Sequence, residues 1–360
     1  MGLPVVDGHN DLPWALRTRA DSDLDRSDPR KYLEGFHTDT PRMIVGGVGA
    51  QVWSVYVPAR ISNPFRETLA QIDLVERMVA RDERLELART GSDARLIRDE
   101  GRVASLLGAE GGHSIENSIS NLQTLADRGV RYMTLTHSDT TEWADSATDE
   151  ATHGGLTGFG RDVVREMNRL GMLVDLSHVS AETMRDALET SEAPVIASHS
   201  NARALAPHPR NMPDDVLREI GSRLGVVMVV FFPGFVVRET AIRMTEMFAD
   251  ARVVRDELDG DETAIAQEME RREVALELDQ GTVSDVVDHI EYVAEIAGVD
   301  SVGLGSDFDG MTTTPVGLHD VSCYPAITDE LLLRGWREPD IMKVLGENSL
   351  RILDVGSPPP

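Results

Sequence analysis

The chain of 360 residues has one cysteine, Cys323, and two lysines, Lys31 and Lys343. A single thiol excludes an internal disulfide framework and any multi-cysteine zinc site, and Cys323 is expected as a small buried apolar residue. No basic segment leading into an apolar one opens the chain, and "MGLPVV" lacks the Ser or Thr of a myristoylation signal. The apolar stretch 225–237 falls short of the roughly 20 residues that a membrane helix needs, and "GSPPP" is no anchor tail. Positive charge is scarce as well: 35 Lys and Arg stand against 62 Asp and Glu, a formal net charge of -27 with a pI near 4.7. Such a surface repels phosphate backbones and anionic membranes. The expectation is a cytoplasmic protein acting on small molecules, with neither nucleic acid nor membrane as partner.

What the sequence does have is alternation. Eight β-rich apolar runs occur, at 4–11, 46–57, 103–112, 130–137, 171–178, 193–200, 224–232 and 301–310. Stretches with apolar residues three or four apart lie between them, at 63–88, 118–128, 158–170, 180–190, 213–222 and 284–297, and this spacing predicts helices. Continuous apolar strands imply a sheet covered on both faces. Eight such repeats predict a single α/β domain over residues 1–360, a (β/α)8 TIM-type barrel. A doubly wound open sheet is the rival, but no glycine-rich dinucleotide fingerprint follows the first run. Two stretches depart from the repeat. Residues 18–40 are polar and turn-rich, expected as a loop over the site, and 236–283 is a charged helical insertion between the seventh and eighth strands. Its charge mixture reads as a solvated helical face, with a dimer or lid element as the alternative.

In a barrel of this kind the C-terminal ends of the strands build the site, and the unusual polar residues fall there. His9 and Asp11 end the first run, Glu110 the third, His137 the fourth, His178 the fifth, His199 the sixth and Asp307 the eighth. Strand residues two apart face one side, so His9 and Asp11 can reach a common ion. Each alone has an ordinary reading: a histidine after a strand hydrogen-bonds locally, and Asp or Ser caps a helix, as Ser177 or Ser180 does in "LSHVSAET". Four histidines and three carboxylates at the ends of six runs are not explained one cap at a time. The donors suit a divalent transition ion, zinc first, with manganese or iron as alternatives. Three histidines and two acids exceed the needs of one catalytic ion, so Glu110 is expected to bridge two ions about 3.5–4 Å apart. Ligation needs neutral histidines and ionised carboxylates, hence activity lost in acid.

These residues stand in "DGHNDLPW" (7–14), "GAEGGHSI" (108–115), "RYMTLTHSDTTEWAD" (131–145), "GMLVDLSHVS" (171–180), "VIASHSNARALAPHPRNMPD" (195–214), "VGLGSDFDG" (302–310) and a tail from 317 to 353. In that order the segments resemble the membrane (renal) dipeptidase family, peptidase family M19 of the amidohydrolase-like barrel superfamily. The resemblance implies a binuclear zinc dipeptidase that hydrolyses a dipeptide amide through a metal-bridging hydroxide, accepts a D-residue at the C-terminal position, and has relatives that open carbapenem rings. Carried over by position, His9 and Asp11 match the ligands of one zinc, Glu110 the bridging carboxylate, and His178 and His199 the ligands of the second. Asp307 matches the acid that shuttles a proton to the leaving amine, His137 the group that stabilises the oxyanion, and Arg210 the binder of the substrate carboxylate.

The resemblance has limits. Mammalian relatives are secreted, lipid-anchored and disulfide-linked, so a homodimer of this chain is expected to be non-covalent. After the seventh strand stands "VVFFPGFVVRET", not a tyrosine- and asparagine-rich stretch, which leaves side-chain preference open. The competing activity is another barrel amidohydrolase, an N-acyl amino acid hydrolase, deaminase or lactonase. A carbamylated lysine at the end of the fourth strand would favour those, and that position is His137. A non-catalytic metal-binding protein would lack a ligand, and none is missing. Among the remaining polar residues, His113 is expected at a helix start or behind the ligands, Asp175 as structural, and Asp309 as a support for the site. His37, His153, His208, His289 and His319 are expected on the surface or in loops, with His153 the candidate for lining the cleft.

Overall fold

The apolar runs become short parallel strands: β1 (Val5–Asn10), β2 (Val48–Ser54), β3 (Leu85–Leu87), β4 (Val103–Ala109), β5 (Val130–Thr134), β6 (Leu173–Asp175), β7 (Ile196–Ala197), β8 (Val226–Val229) and β9 (Val302–Leu304). They belong to a computed structural model that describes residues 5–258, 262–276 and 278–355. The strand order is β2-β1-β9-β8-β7-β6-β5-β4-β3, and a further pairing of β2 with β4 closes the ring. Eight strands therefore form the expected (β/α)8 barrel, and β3 stands outside it.

The extra strand corrects the helix expected over 63–88. That helix ends at Ala80, and Leu85–Leu87 pairs with Val103–Ser105 of β4. Between them Asp82 turns the chain, accepting the backbone N–H and the guanidinium of Arg84. A strand of three residues is too short to show a period of two.

Two buried clusters alternate along the strands. Val6, Ala50, Val52, Ala104, Leu106, Tyr132, Leu173, Ile196, Val226 and Met228 form one with Leu350 and Ile352 of the C-terminal helix Asn348–Val355. This cluster draws on every ring strand except β9, so it fills the barrel. Side chains on the alternate positions, such as Val5, Trp53, Leu107, Val174, Val227 and Leu304, pack outward under the helices. Inside, glycine makes room for large neighbours: a Cβ on Gly8 would collide with Met228, and one on Gly108 with Tyr132.

The helices begin where capping chemistry places them. Thr157 accepts from Gly160 N at the start of Gly158–Leu170, and Gly171, at φ 65°, ends it. Ser180, not Ser177, caps Ala181–Thr190 by accepting from Thr183 N, which frees Ser177 to accept from His199 N at 3.0 Å.

Residues 21–39 contain no helix or strand, and His37 ties this segment to the rim: its N–H donates to Asp309 Oδ1 at 2.8 Å while its Nδ1 accepts from Asp309 N at 3.0 Å. Helices Arg238–Glu257 and Glu262–Ala275 lie between β8 and β9. The first buries Ala241, Met244 and Met247 and sets Phe248 edge-on to His208 at 5.5 Å. His208 and His289, expected on the surface or in loops, are both buried. His208 accepts from Arg210 N at 3.1 Å, and His289 accepts from Ala202 N and bonds the Val236 carbonyl. His208 thus bonds within its own loop, whereas His289 lies on the helix Val283–Ala297 and not in a loop, joining that helix to Ala202 and Val236. Cys323 is half-buried against His319, at 3.4 Å. Among the described residues no helix is long and apolar enough to cross a membrane.

Candidate metal centre and active site

The strand ends bring every expected ligand to one place. His9 lies in β1 with Asp11 just beyond it, Glu110 follows β4, and His178, His199 and Asp307 leave β6, β7 and β9. Oε1 of Glu110 is the centre. It lies 2.9 Å from Nε2 of His178, 3.4 Å from that of His199, 3.5 Å from that of His9 and 3.7 Å from that of His137. Nε2 of His178 and His199 are 2.9 Å apart, and Nε2 of His9 is 3.3 Å from Asp11 Oδ2. Three ligand groups overlap here: His9, Glu110 and His199; Glu110, His137 and His178; and His9, Asp11 and Asp307.

These donors fit divalent cations. Burial holds His137, His178 and His199 below the usual histidine range, the last two far below, so their ring nitrogens keep lone pairs. Burial would push Glu110 up, but His9 and His137 and the bonds from His178 and His199 outweigh it, and the carboxylate is held well below its usual range. His9 is the exception. Burial opposes its charge, yet Tyr132, Glu110 and Asp11 together raise it well above the usual value, which marks the position where positive charge is most favoured. Nε2 of His9 and Oδ1 of Asp11 are buried with no hydrogen-bond partner. A cation satisfies such atoms where water is excluded.

The ligands are held by their surroundings. Tyr132, rising through the barrel, donates to the carbonyl of Gly8 at 2.9 Å. Its single proton is thereby used, so its contact of 2.9 Å with His9 Nδ1 requires the imidazole to donate. Nδ1 therefore keeps a proton, and Nε2, which faces Glu110, is the nitrogen left to exchange its proton for a cation. His178 and Asp307 sit in the left-handed region at φ 71° and 68°, which surrounding contacts must enforce. Ala147 N and Thr136 Oγ1 both donate to the His178 carbonyl, at 2.7 and 3.2 Å. Asp307 N donates to His9 O at 3.2 Å, and a Cβ on Gly310 would collide with the carboxylates of both Asp11 and Asp307. Burial, then the charges of Asp11 and Glu110, raise Asp307 well above the usual carboxylate range.

His137 is the most open of the four imidazoles, with a side chain 23% exposed against 0, 11 and 1% for His9, His178 and His199. The Tyr56 ring packs beside it at 4.6 Å. Arg210 is buried behind the site. Its guanidinium makes two long bonds of 3.4 Å, to Ser200 Oγ and His199 O, and lies 5.1 Å over the Phe235 ring. Its Nε has no partner.

The other singled-out residues stand aside. His113 points away, bonding the Val57 carbonyl at 2.8 Å. His153 is exposed, and Asp145 gathers the N–H groups of Thr152, His153 and Gly155 to close its loop. Asp309 supports the rim through His37. Sequence reading missed Asp7, Tyr132 and Ser198, which hold the ligands without touching the centre. The available signal was a carboxylate inside a buried strand, as in "VVDGH".

The chain is also similar to known proteins. The profile of the membrane dipeptidase family, peptidase family M19, matches residues 2–355. Dipeptidase tcpJ of Claviceps purpurea (strain 20.1) is 41% identical over 360 residues, covering 96% of this chain and 76% of its own. The crystal structure of a metallopeptidase described as dipeptidase AC, of family M19, superposes with a TM-score of 0.79 at 27% identity, covering 100% of both chains. A metallopeptidase from Rhodobacter sphaeroides, liganded with a phosphinate mimic of the dipeptide L-Ala-D-Ala, has a TM-score of 0.79 at 26% identity, covering 99% of this chain and 100% of its own. The chain belongs to the membrane dipeptidase family, the metallopeptidases of peptidase family M19.

Proposed function

We propose that the chain is a binuclear zinc dipeptidase that hydrolyses dipeptides and accepts a D-amino acid at the C-terminal position. The observation that carries the reading is the convergence of four imidazole Nε2 atoms on one oxygen of Glu110, with a buried guanidinium alongside. His9 and Asp11 would hold one ion, His178 and His199 the other, and Glu110 both. Two such ions would polarise the scissile carbonyl and lower the pKa of the attacking water to roughly 7.

The chain's own groups supply the rest. Arg210 is pulled down to about 10 by burial and remains charged at neutral pH. Among the described residues no carboxylate forms an ion pair with it, and a buried cation without an anion is costly. The free carboxylate of a dipeptide fits the guanidinium fork. A longer peptide would place an uncharged amide there. His137, open on the substrate side, donates to the oxygen that gains charge as the carbonyl is attacked. Asp307 takes a proton from the attacking water and gives it to the leaving amine, a role suited to a carboxyl whose proton affinity is raised. Acceptance of a D-residue is supported by the L-Ala-D-Ala mimic bound by the Rhodobacter sphaeroides relative.

The test is metal analysis joined to a library of L-Xaa-L-Xaa and L-Xaa-D-Xaa dipeptides at neutral pH after zinc loading. Two ions per chain and turnover of L-Xaa-D-Xaa substrates are expected. Absence of tightly bound metal, or of dipeptide turnover, would sink the reading.

A further inference from the structure

Two buried carboxylates have no part in that chemistry, and they repeat one pattern. Asp7 of β1 accepts with Oδ1 from the N–H of His9 at 3.3 Å and from the N–H of Ser306 at 2.8 Å. Asp175 of β6 accepts with Oδ1 from the N–H of Ser177 at 3.0 Å and from the N–H of Ser198 at 2.8 Å. In both, a strand aspartate takes the amide two residues ahead of it and the amide of a serine just past the end of the next strand of the ring. Each serine immediately precedes a site residue: Ser306 stands before Asp307, and Ser198 before His199. The residue two ahead is His9 itself in one case and Ser177, the neighbour of His178, in the other. Both serine hydroxyls continue the contact, Ser306 Oγ donating to Asp7 Oδ2 at 2.7 Å and Ser198 Oγ lying 2.7 Å from His199 Nδ1.

The two clips stand where the barrel is least stitched. β1 pairs with β9 through Asp7 and Leu304 alone, and β6 pairs with β7 through Asp175 and Ile196 alone; an isolated bridge between Asn10 and Phe308 adds to the first joint. By contrast β2 and β4 pair over Ala50–Ser54. Backbone bonds remain at both joints, from Asp307 N to His9 O at 3.2 Å and Asp11 N to Phe308 O at 2.9 Å, and from Leu176 N to Ile196 O at 2.8 Å, but the amides of Ser306 and Ser198 are taken by the aspartates.

We propose that Asp7 and Asp175 are positioning residues, each replacing the missing strand pairing at one joint and so setting one half of the site: His9 and Asp307 through Asp7, His178 and His199 through Asp175. The assignment of halves to ions rests on the two-ion reading above. Each clip then governs its own ion. A carboxylate that merely filled space would lower stability without distinguishing the ions.

The experiment is zinc titration of the full chain, wild type against Asp175→Ala, Asp175→Asn, Asp7→Ala and Asp7→Asn, with histidine imidazole 15N spectra recorded on the same proteins. Asp175→Ala is expected to weaken one of the two ions about 10- to 100-fold and leave the other unchanged. Asp7→Ala is expected to weaken the other ion and also to lower kcat through Asp307. The Asn variants keep an acceptor oxygen for both amides and should recover most of the affinity. Unchanged binding of both ions in Asp175→Ala, or equal weakening of both, overturns the proposal. If Asp175→Ala does not fold, Asp175→Ser carries the same test, since its hydroxyl is too short to span both amides. A wild-type protein that binds fewer than two ions counts against the two-ion reading itself. The clips are then judged by the spectra, where Asp175→Ala must move the His178 and His199 signals and leave His9 in place, and unmoved signals overturn them.

Discussion

The hydroxyl of Tyr132 lies 2.9 Å from Nδ1 of His9 and 2.9 Å from the carbonyl of Gly8, and because it donates to the carbonyl it fixes the proton of His9 on Nδ1. A ligand with its tautomer set in advance binds metal without first reorganising. Tyr132→Phe keeps the ring that fills the barrel and removes the hydroxyl, both the acceptor for His9 Nδ1 and the donor to the Gly8 carbonyl. Zinc affinity is expected to fall by about 10-fold or more, while the metal-free protein loses about 1–3 kcal/mol for the buried imidazole N–H left unpaired. Competitive chelator titration and thermal melts measure the two effects separately. Unaltered zinc affinity would mean that His9 finds its tautomer without Tyr132.

Burial, and then the charge of the neighbouring Asp11, make Asp307 bind its proton more tightly than an ordinary carboxyl. Asp307→Asn preserves shape and removes the proton acceptor. Both ions should remain bound, KM should change little, and kcat should drop by about 10²- to 10⁴-fold, the usual contribution of general acid–base catalysis. A variant that retains kcat would take Asp307 out of proton transfer.

Arg210 is charged, buried and short of acceptors, so it is held ready at some cost to the free protein. Arg210→Ala should raise KM for dipeptides with a smaller effect on kcat, and should not lower the melting temperature as a lost ion pair would. A dipeptide amide, which lacks the free carboxylate, should be hydrolysed poorly by the wild type and about equally by wild type and variant. Steady-state kinetics on the paired substrates decide this. An unaffected KM would place the carboxylate elsewhere.

The barrel was legible because short apolar runs such as "VASLLGA" recur eight times with helical spacing between them, and because helices such as Gly158–Leu170 carry their own caps. The ligands were legible because histidines at successive strand ends have no shared structural explanation. β3 was not, since three residues show no period. Tyr132, Asp7 and Ser198 act through neighbours that only folding supplies, and Tyr132 lies 123 residues from the imidazole that it holds. The burial of His208 depends on the helix after β8 and on loop packing, which leave no periodic trace around it, whereas His289 falls on the apolar face of Val283–Ala297 between Val286 and Val293, a signal that the sequence carried.

Those buried histidines set how stability depends on pH. Burial lowers His208 to about 3, and His113 and His289 to about 4, against about 6.5 in an unfolded chain. Between those values the unfolded chain binds protons that the folded one refuses, so stability is complete above about pH 6.5 and is lost as pH falls, by about 1.4 kcal/mol per pH unit for each histidine. Asp309 acts in the opposite direction. Burial raises it to about 6, so the folded state holds a proton there as pH falls through 6, which offsets the loss from the adjacent His37, itself lowered to about 4. The melting temperature should therefore decline steadily from pH 6.5 toward 5. His289→Gln can still accept from Ala202 N and donate to the Val236 carbonyl, so it should fold and reduce proton uptake on unfolding by about one near pH 5. Calorimetry of both proteins across this range measures the difference. Equal slopes would show that His289 takes up its proton without unfolding, and that its two backbone contacts do not hold it neutral.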